Sequence, residues 1–201
     1  MKNFLGSKMI IAHRGNTVGP NKLLENTPKH LMDAARAGYG IEFDLRETNG
    51  ELIISHDAIY KKKINATVIN TITDAHPLTV LVVNIKQFGI SDLVATTIRS
   101  RRAIAFDFEL VDRNSCVDEM NKYKALGFMV AKRMSELNAV INVDSDYIWV
   151  DEMTQSGVLD LGGLDLDRCI YVSPELHGRP IETRRMDRFG GVCTDFVARY
   201  V

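Results

Sequence analysis

Short apolar runs that each stop on a polar cluster recur along this chain, and stretches with helical spacing separate them. Residues 9–12 (MIIA) stop at His13-Arg14-Gly15-Asn16, and 78–86 (LTVLVVNIK) end in Asn84 and Lys86. Residues 102–109 (RAIAFDFE) end in Asp107 and Glu109, 147–152 (YIWVDE) in Asp151 and Glu152, and 169–175 (CIYVSPE) in Glu175. The last run, 191–195 (GVCTD), stops at Asp195. Apolar runs of this length bounded by polar groups read as buried strands. After Thr27-Pro28, Leu31, Met32 and Ala35 fall at helical spacing, with Thr27 as N-cap and Pro28 at N1, where its missing N–H costs nothing. That helix ends near Gly38, and others are expected over 91–101, 117–126 and 134–141. Strands near residues 10, 42, 82, 105, 130, 149, 171 and 193 alternate with these segments, as βα units around a parallel sheet do.

Eight such units predict a compact (β/α)8 TIM barrel forming one domain over 1–201. The length lies at the floor of the barrel range of roughly 200 to 400 residues, so some helices must be single turns or absent. The runner-up is an open doubly wound sheet, but no Gly-rich phosphate loop follows the first strand. One stretch departs from the βα pattern. Residues 41–57 (IEFDLRETNGELIISHD) form a hairpin about Asn49-Gly50, two residues suited to positive φ. Glu42 and Asp44 share one strand face by the period of two, and the return strand brings back His56-Asp57. In strict two-residue register His56 would pair with Phe43 and share its face, so a bulge or an early end to pairing must re-aim the imidazole.

Composition changes this picture little. The net charge of −1 gives no electrostatic case for nucleic acid or for stable membrane association. Local runs such as Lys61-Lys62-Lys63 and 99–102 read as solvated faces. Three cysteines without metal-ligand spacing suit a reducing compartment, and no signal-peptide core or membrane-length run is visible, so a soluble cytoplasmic protein is expected.

Barrels of this kind carry their chemistry at the C-terminal ends of the strands. His13, Arg14, Glu42, Asp44, Asn84, Lys86, Glu109, Asp151 and Glu175 all fall there. Carboxylates Glu42 and Asp44 suit a hard divalent cation, Mg²⁺ or Ca²⁺. Arg14 offers a bidentate guanidinium and Lys86 a point charge for a phosphate. His13 and His56 titrate near neutrality and suit general acid–base work. Together these groups supply what cleavage of a phosphodiester requires.

The set His13-Arg14-Gly15, Glu25-Asn26-Thr27, Glu42-Phe43-Asp44 and His56-Asp57, in this order, resembles the glycerophosphodiester phosphodiesterase family. The closing GVCTDF is similar to that family's last strand. The resemblance implies a TIM-barrel hydrolase of a small phosphodiester that uses a divalent cation. His13 and His56 would be acid and base, Arg14 and Lys86 phosphate contacts, and Glu42 and Asp44 metal ligands. Two departures stand out. Where the family has Glu-x-Lys this chain has Asn84-Ile85-Lys86, which leaves Asn84 as an uncharged metal ligand, with Glu109 or Asp107 as a replacement from the next strand. The segment between His56 and the third strand is too short for the family's capping insertion, so the site should be open. Two other activities fit the same residues: a phospholipase-type enzyme that cyclises its substrate, and a barrel that binds a phosphorylated ligand without turnover.

Overall fold

A computed structural model describes residues 8–60, 62–106, 113–137, 143–182 and 187–200. Among the described residues the strands are β1 (Met9–Ala12), β2 (Gly40–Thr48), β3 (Glu51–Ile54), β4 (Leu81–Ile85), β5 (Ala103–Phe106), β6 (Met129–Met134), β7 (Tyr147–Val150), β8 (Cys169–Val172) and β9 (Gly191–Thr194). The α-helices among the described residues are α1 (Pro28–Arg36), α2 (Val68–Ala75), α3 (Ser91–Thr97) and α4 (Arg113–Ala125). β1 pairs in parallel with both β9 and β2, so the eight parallel strands close into a barrel, with β3 antiparallel to β2. Every predicted strand is present. The fold is the expected (β/α)8 barrel.

Alternation along each strand divides the apolar residues into two layers. Ile11, Val82, Ile104, Ala131, Trp149, Ile170 and Cys193 pack as one cluster inside the barrel. Phe43, Leu45, Val83 and Ala105 face outward against Leu31, Ile69, Val94 and Tyr123 of the helices. β2 contributes nothing apolar to the interior, since its inward positions are Gly40, Glu42 and Asp44. A Cβ at Gly40 would stand 3.3 Å from Ile11 Cγ1, so the barrel closes tightly there.

The helical layer is uneven. Helix α2 was not expected from the sequence, and α3 stops at Thr97, short of the predicted 101. The helix expected over 134–141 does not start where predicted. Met134 ends β6, held in the sheet by pairing with Val150 and by accepting from the Asp151 amide at 2.9 Å, and Ser135 forms a bridge, while 138–141 lie outside the described residues. Among the described residues no α-helix follows β6, β7 or β8. Instead, Leu159, Leu161, Leu164 and Leu166 from the segment after β7 cover Val150, Tyr171 and Val192. Buried Glu152 anchors that segment, accepting from the Gly157 and Leu159 amides and from the Tyr171 hydroxyl at 2.9, 3.2 and 2.8 Å. Thr27 occupies the N-cap of α1 without capping it through its side chain. Its hydroxyl donates to the Leu24 carbonyl at 2.7 Å instead. No described helix is long and apolar enough to cross a membrane.

Candidate active site

The loop after β1 is held in a conformation that most residues avoid. Arg14 has φ 50°, Gly15 83° and Asn26 60°. At Gly15 a Cβ would lie 2.9 Å from the His30 carbonyl carbon, so only glycine lets the loop lie against the start of α1. Left-handed backbone of this kind costs roughly 1–2 kcal/mol per non-glycine residue, and the surrounding bonds hold it. The Asn26 amide donates to the Arg14 carbonyl at 3.0 Å, and the Arg14 amide donates to Glu42 Oε2 at 3.1 Å. Asn26 also clamps Asp44, its Nδ2 donating to Oδ2 at 2.8 Å.

Glu42 and Asp44 from β2 lie beside Asn84 of β4, because the parallel register sets Asp44 opposite Asn84. All three are buried. Asn84 Nδ2 donates to Glu42 Oε1 at 3.3 Å, and Lys86 Nζ stands 4.0 Å from Asp44 Oδ1. Burial, and then the charge of Asp44, push the Glu42 carboxyl up to about 7. Two oxygens in this group, Asp44 Oδ1 and Asn84 Oδ1, are buried without a hydrogen bond. An orphaned carboxylate oxygen and an orphaned amide oxygen beside a second carboxylate form an all-oxygen donor set that suits a hard cation. The described residues contain no cluster of three or more His, Cys, Asp or Glu side chains that could hold a metal ion. Asp107 and Glu109 lie outside the described residues.

His13 faces this group from the end of β1. Its Nδ1 is 2.8 Å from Asp195 Oδ1, and that oxygen also accepts from Asn16 Nδ2 at 2.8 Å. Burial would lower the His13 pKa, but the Asp195 bond and the Glu42 charge outweigh it and raise it. Glu175 fixes Asp195 in turn, accepting its amide at 3.2 Å. With Nδ1 occupied, Nε2 is the nitrogen left for a substrate. Arg14 is more engaged than a simple phosphate contact would be. Its Nε lies 3.0 Å from Asp44 Oδ2 and its Nη1 3.1 Å from Glu25 Oε2, which leaves Nη2 without a bond among the described residues.

His56 is placed by the early end of hairpin pairing. The ladder stops at Leu45 opposite Ile54, and the Ser55 amide still donates to the Asp44 carbonyl at 3.0 Å. Asn49 and Gly50 take φ of 52° and 79°, as the turn requires. The chain then bends, and His56, its side chain 47 % exposed, sets Nδ1 2.7 Å from Asp57 Oδ1. Arg46 holds this bend, its Nε donating to the His56 carbonyl at 3.1 Å and its Nη1 to the Lys86 carbonyl at 2.8 Å. One guanidinium therefore ties the two segments together. Arg46→Ala is expected to lower kcat by about 10–10²-fold with little change in thermal stability, a split that steady-state kinetics and a melting curve resolve.

Across the mouth, Asp151 bridges Arg133 and His177 at 2.5 and 2.6 Å. Burial would raise the Asp151 carboxyl, but the His177 bond and the Arg133 charge hold it below the usual range. Among the candidates, His13, Arg14, Glu42, Asp44, Asn84 and Lys86 share one wall, His56 borders it, and Asp151 lies on the opposite wall. Sequence reasoning gave no role to Asp195, Asn26, Glu25 or Arg46. The first three carried a signal, since they stand within the motifs of the resemblance, whereas Arg46 carried none.

No protein-family model and no curated protein matches the chain. Solved structures do. A glycerophosphodiester phosphodiesterase from Parabacteroides distasonis superposes with a TM-score of 0.63 at 14% identity, over 96% of each chain. One from Agrobacterium tumefaciens gives 0.61 at 15%, over 94% of this chain and 96% of that one. An Oleispira antarctica phosphodiesterase in complex with the product sn-glycerol-3-phosphate gives 0.63 at 11%, over 95% and 94%. Likeness at such identity establishes the barrel fold over nearly the whole chain.

Proposed function

We propose that this chain is a metal-dependent phosphodiesterase that hydrolyses a glycerophosphodiester-like or sugar-phosphate diester by His/His acid–base catalysis. The observation that carries the reading is the buried Glu42, Asp44 and Asn84 oxygen set beside the His13–Asp195 pair, all at the C-terminal mouth of the barrel. The names of the solved structures that share the fold support the same class.

Glu42, Asp44 and Asn84 would hold Mg²⁺ or Ca²⁺, and Glu109 is a further ligand candidate. Such an ion supplies positive charge to a phosphoryl oxygen as negative charge grows there. Arg14 through Nη2, and Lys86 at the end of β4, bind the remaining phosphate oxygens. His13 and His56 each rest Nδ1 on an aspartate and present Nε2. One imidazole takes a proton from the attacking water while the other gives a proton to the departing alcohol oxygen. The P–O bond to the alcohol breaks as the bond to water oxygen forms, leaving a phosphomonoester and a free alcohol.

The test is hydrolysis of an aryl phosphodiester by the full chain supplemented with Mg²⁺ or Ca²⁺. Release of the phenol that stops on chelation supports the reading, and no release with either ion overturns it. Phosphorus NMR of the product distinguishes a monoester from the cyclic ester a phospholipase-type reaction would leave.

A further inference from the structure

Asn16 ends the strained loop after β1, its backbone N–H donating to the His13 carbonyl at 2.9 Å. The side chain is wholly buried, and every hydrogen-bonding position of its carboxamide is used. Nδ2 donates to Asp195 Oδ1 at 2.8 Å and to Glu25 Oε1 at 3.3 Å. Oδ1 accepts from the Asn21 amide at 3.2 Å and lies 3.0 Å from His30 Nε2. Gly15 makes this reach possible, since a Cβ there would stand against the His30 backbone. The carboxamide can face only one way. Turned over, it would set a donor against the Asn21 N–H and a lone-pair oxygen against two carboxylates.

Each of those carboxylates serves a different group. Asp195 Oδ1 is 2.8 Å from His13 Nδ1, and Glu25 Oε2 accepts from Arg14 Nη1 at 3.1 Å. One amide therefore stands behind both the imidazole and the guanidinium of the mouth, and His30 stands behind the amide. The fixed oxygen of Asn16 requires the proton of a neutral His30 on Nε2, while the Asp195 carboxylate requires that of a neutral His13 on Nδ1. Asp33 and Lys29 flank His30 on α1, and Glu25 and Asp195 face it from the loops. Burial outweighs the carboxylates and holds the His30 pKa below its ordinary value, so the ring donates in its neutral form.

We propose that Asn16, held by His30, is a positioning residue that sets the His13 tautomer through Asp195 and the aim of Arg14 through Glu25. The hydrogen bonds stand by themselves, and their consequence for turnover rests on the phosphodiesterase reading.

Nitrogen NMR of the labelled full chain tests the tautomers, with the pH raised until both rings are neutral and each ring assigned by the loss of its signals in His13→Ala or His30→Ala. The wild type should carry the proton on Nδ1 of His13 and on Nε2 of His30, and either proton on the other nitrogen overturns the network. Asn16→Ala should move His13 towards the Nε2–H form that imidazole prefers in water, and an unmoved His13 overturns the role of Asn16. On an aryl phosphodiester the same variant should lower kcat by about 10–10²-fold and raise KM as Arg14 loses its aim. A fall in kcat with KM unchanged removes the Glu25–Arg14 half. His30→Ala should cost about fivefold in kcat, the worth of one hydrogen bond, and His30→Gln should restore it, because a glutamine amide nitrogen stands where Nε2 stood. A loss that glutamine does not restore marks a packing role for the ring and overturns the part assigned to His30. If Asn16→Ala fails to fold, the His30 variants carry the tautomer readout. His13 should then shift towards Nε2–H in His30→Ala and back in His30→Gln, and no shift overturns the proposal. The expected tautomers and their shift in a wild type and variants that cleave no diester would uphold the positioning and end the phosphodiesterase reading.

Discussion

His13→Ala is expected to lower kcat on an aryl phosphodiester by about 10²–10⁴-fold, the usual worth of a positioned acid or base. The fold should survive, because the imidazole is at the barrel mouth and in none of the three apolar clusters. Asp195→Asn separates the positioning role from the catalytic one. Its carboxylate is 2.8 Å from His13 Nδ1 and helps hold the imidazole pKa above its ordinary value against the downward pull of burial. Replacing that charge by an amide should drop the His13 pKa, so the limb of the kcat/KM profile that reports it moves to lower pH. A structural role alone would reduce activity at every pH without moving the limb. Activity that survives His13→Ala would remove His13 from the mechanism.

Metal affinity should depend steeply on pH and on three side chains. Glu42 is pushed up to about 7 by burial and by Asp44, so below that value a cation must displace a proton. Apparent affinity for Mg²⁺ or Ca²⁺ should rise by about tenfold per pH unit up to about 7 and level off above it. The stability of the metal-free protein follows the same group. With its folded pKa raised, the contribution of Glu42 is complete below its unfolded value of 4.5 and is lost as pH rises through about 7. Added metal should therefore raise Tm most on the alkaline side, where two adjacent carboxylates are both charged. Glu42→Gln should weaken binding by more than the roughly 10–10²-fold typical of an outer-shell change. Asn84→Asp should act oppositely, tightening binding by about tenfold, or ~1.4 kcal/mol, while it destabilises the metal-free protein. Calorimetric titration across about pH 6 to 8 reads all of these. An Asn84→Asp variant that binds no more tightly would place the ion elsewhere.

Much of the fold was legible because barrel strands advertise themselves. Most of the eight are short apolar runs that stop on a polar group, and those stops are where closure of the barrel gathers the chemistry. Glu42 and Asp44 were readable as a same-face pair from the period of two alone, and Asn49-Gly50 as a turn from its need for positive φ. Helices were less legible. Helix α2 and the leucine-rich cover over β7 to β9 serve the same burial, yet only one is helical, and local spacing did not separate them. Thr27 sits at the N-cap, but its hydroxyl donates to the Leu24 carbonyl in the preceding turn, a partner that the sequence pattern did not reveal.

By itself the sequence determined the strand count, the barrel, the same-face carboxylates and the two histidine motifs, since all of these are local or periodic and need no knowledge of distant partners. The tertiary structure decided the rest. Asp195 meets His13 because β9 pairs with β1 to close the barrel, bringing together residues 182 positions apart. Arg46 reaches both His56 and Lys86, and Arg14 is turned onto Asp44 and Glu25 before any phosphate. Asn84, which reads in sequence as a missing charge, supplies in space one of the two oxygens of this site that are buried without a hydrogen bond among the described residues. Such relations depend on which strands become neighbours and in what register, and those are fixed only when the whole sheet closes.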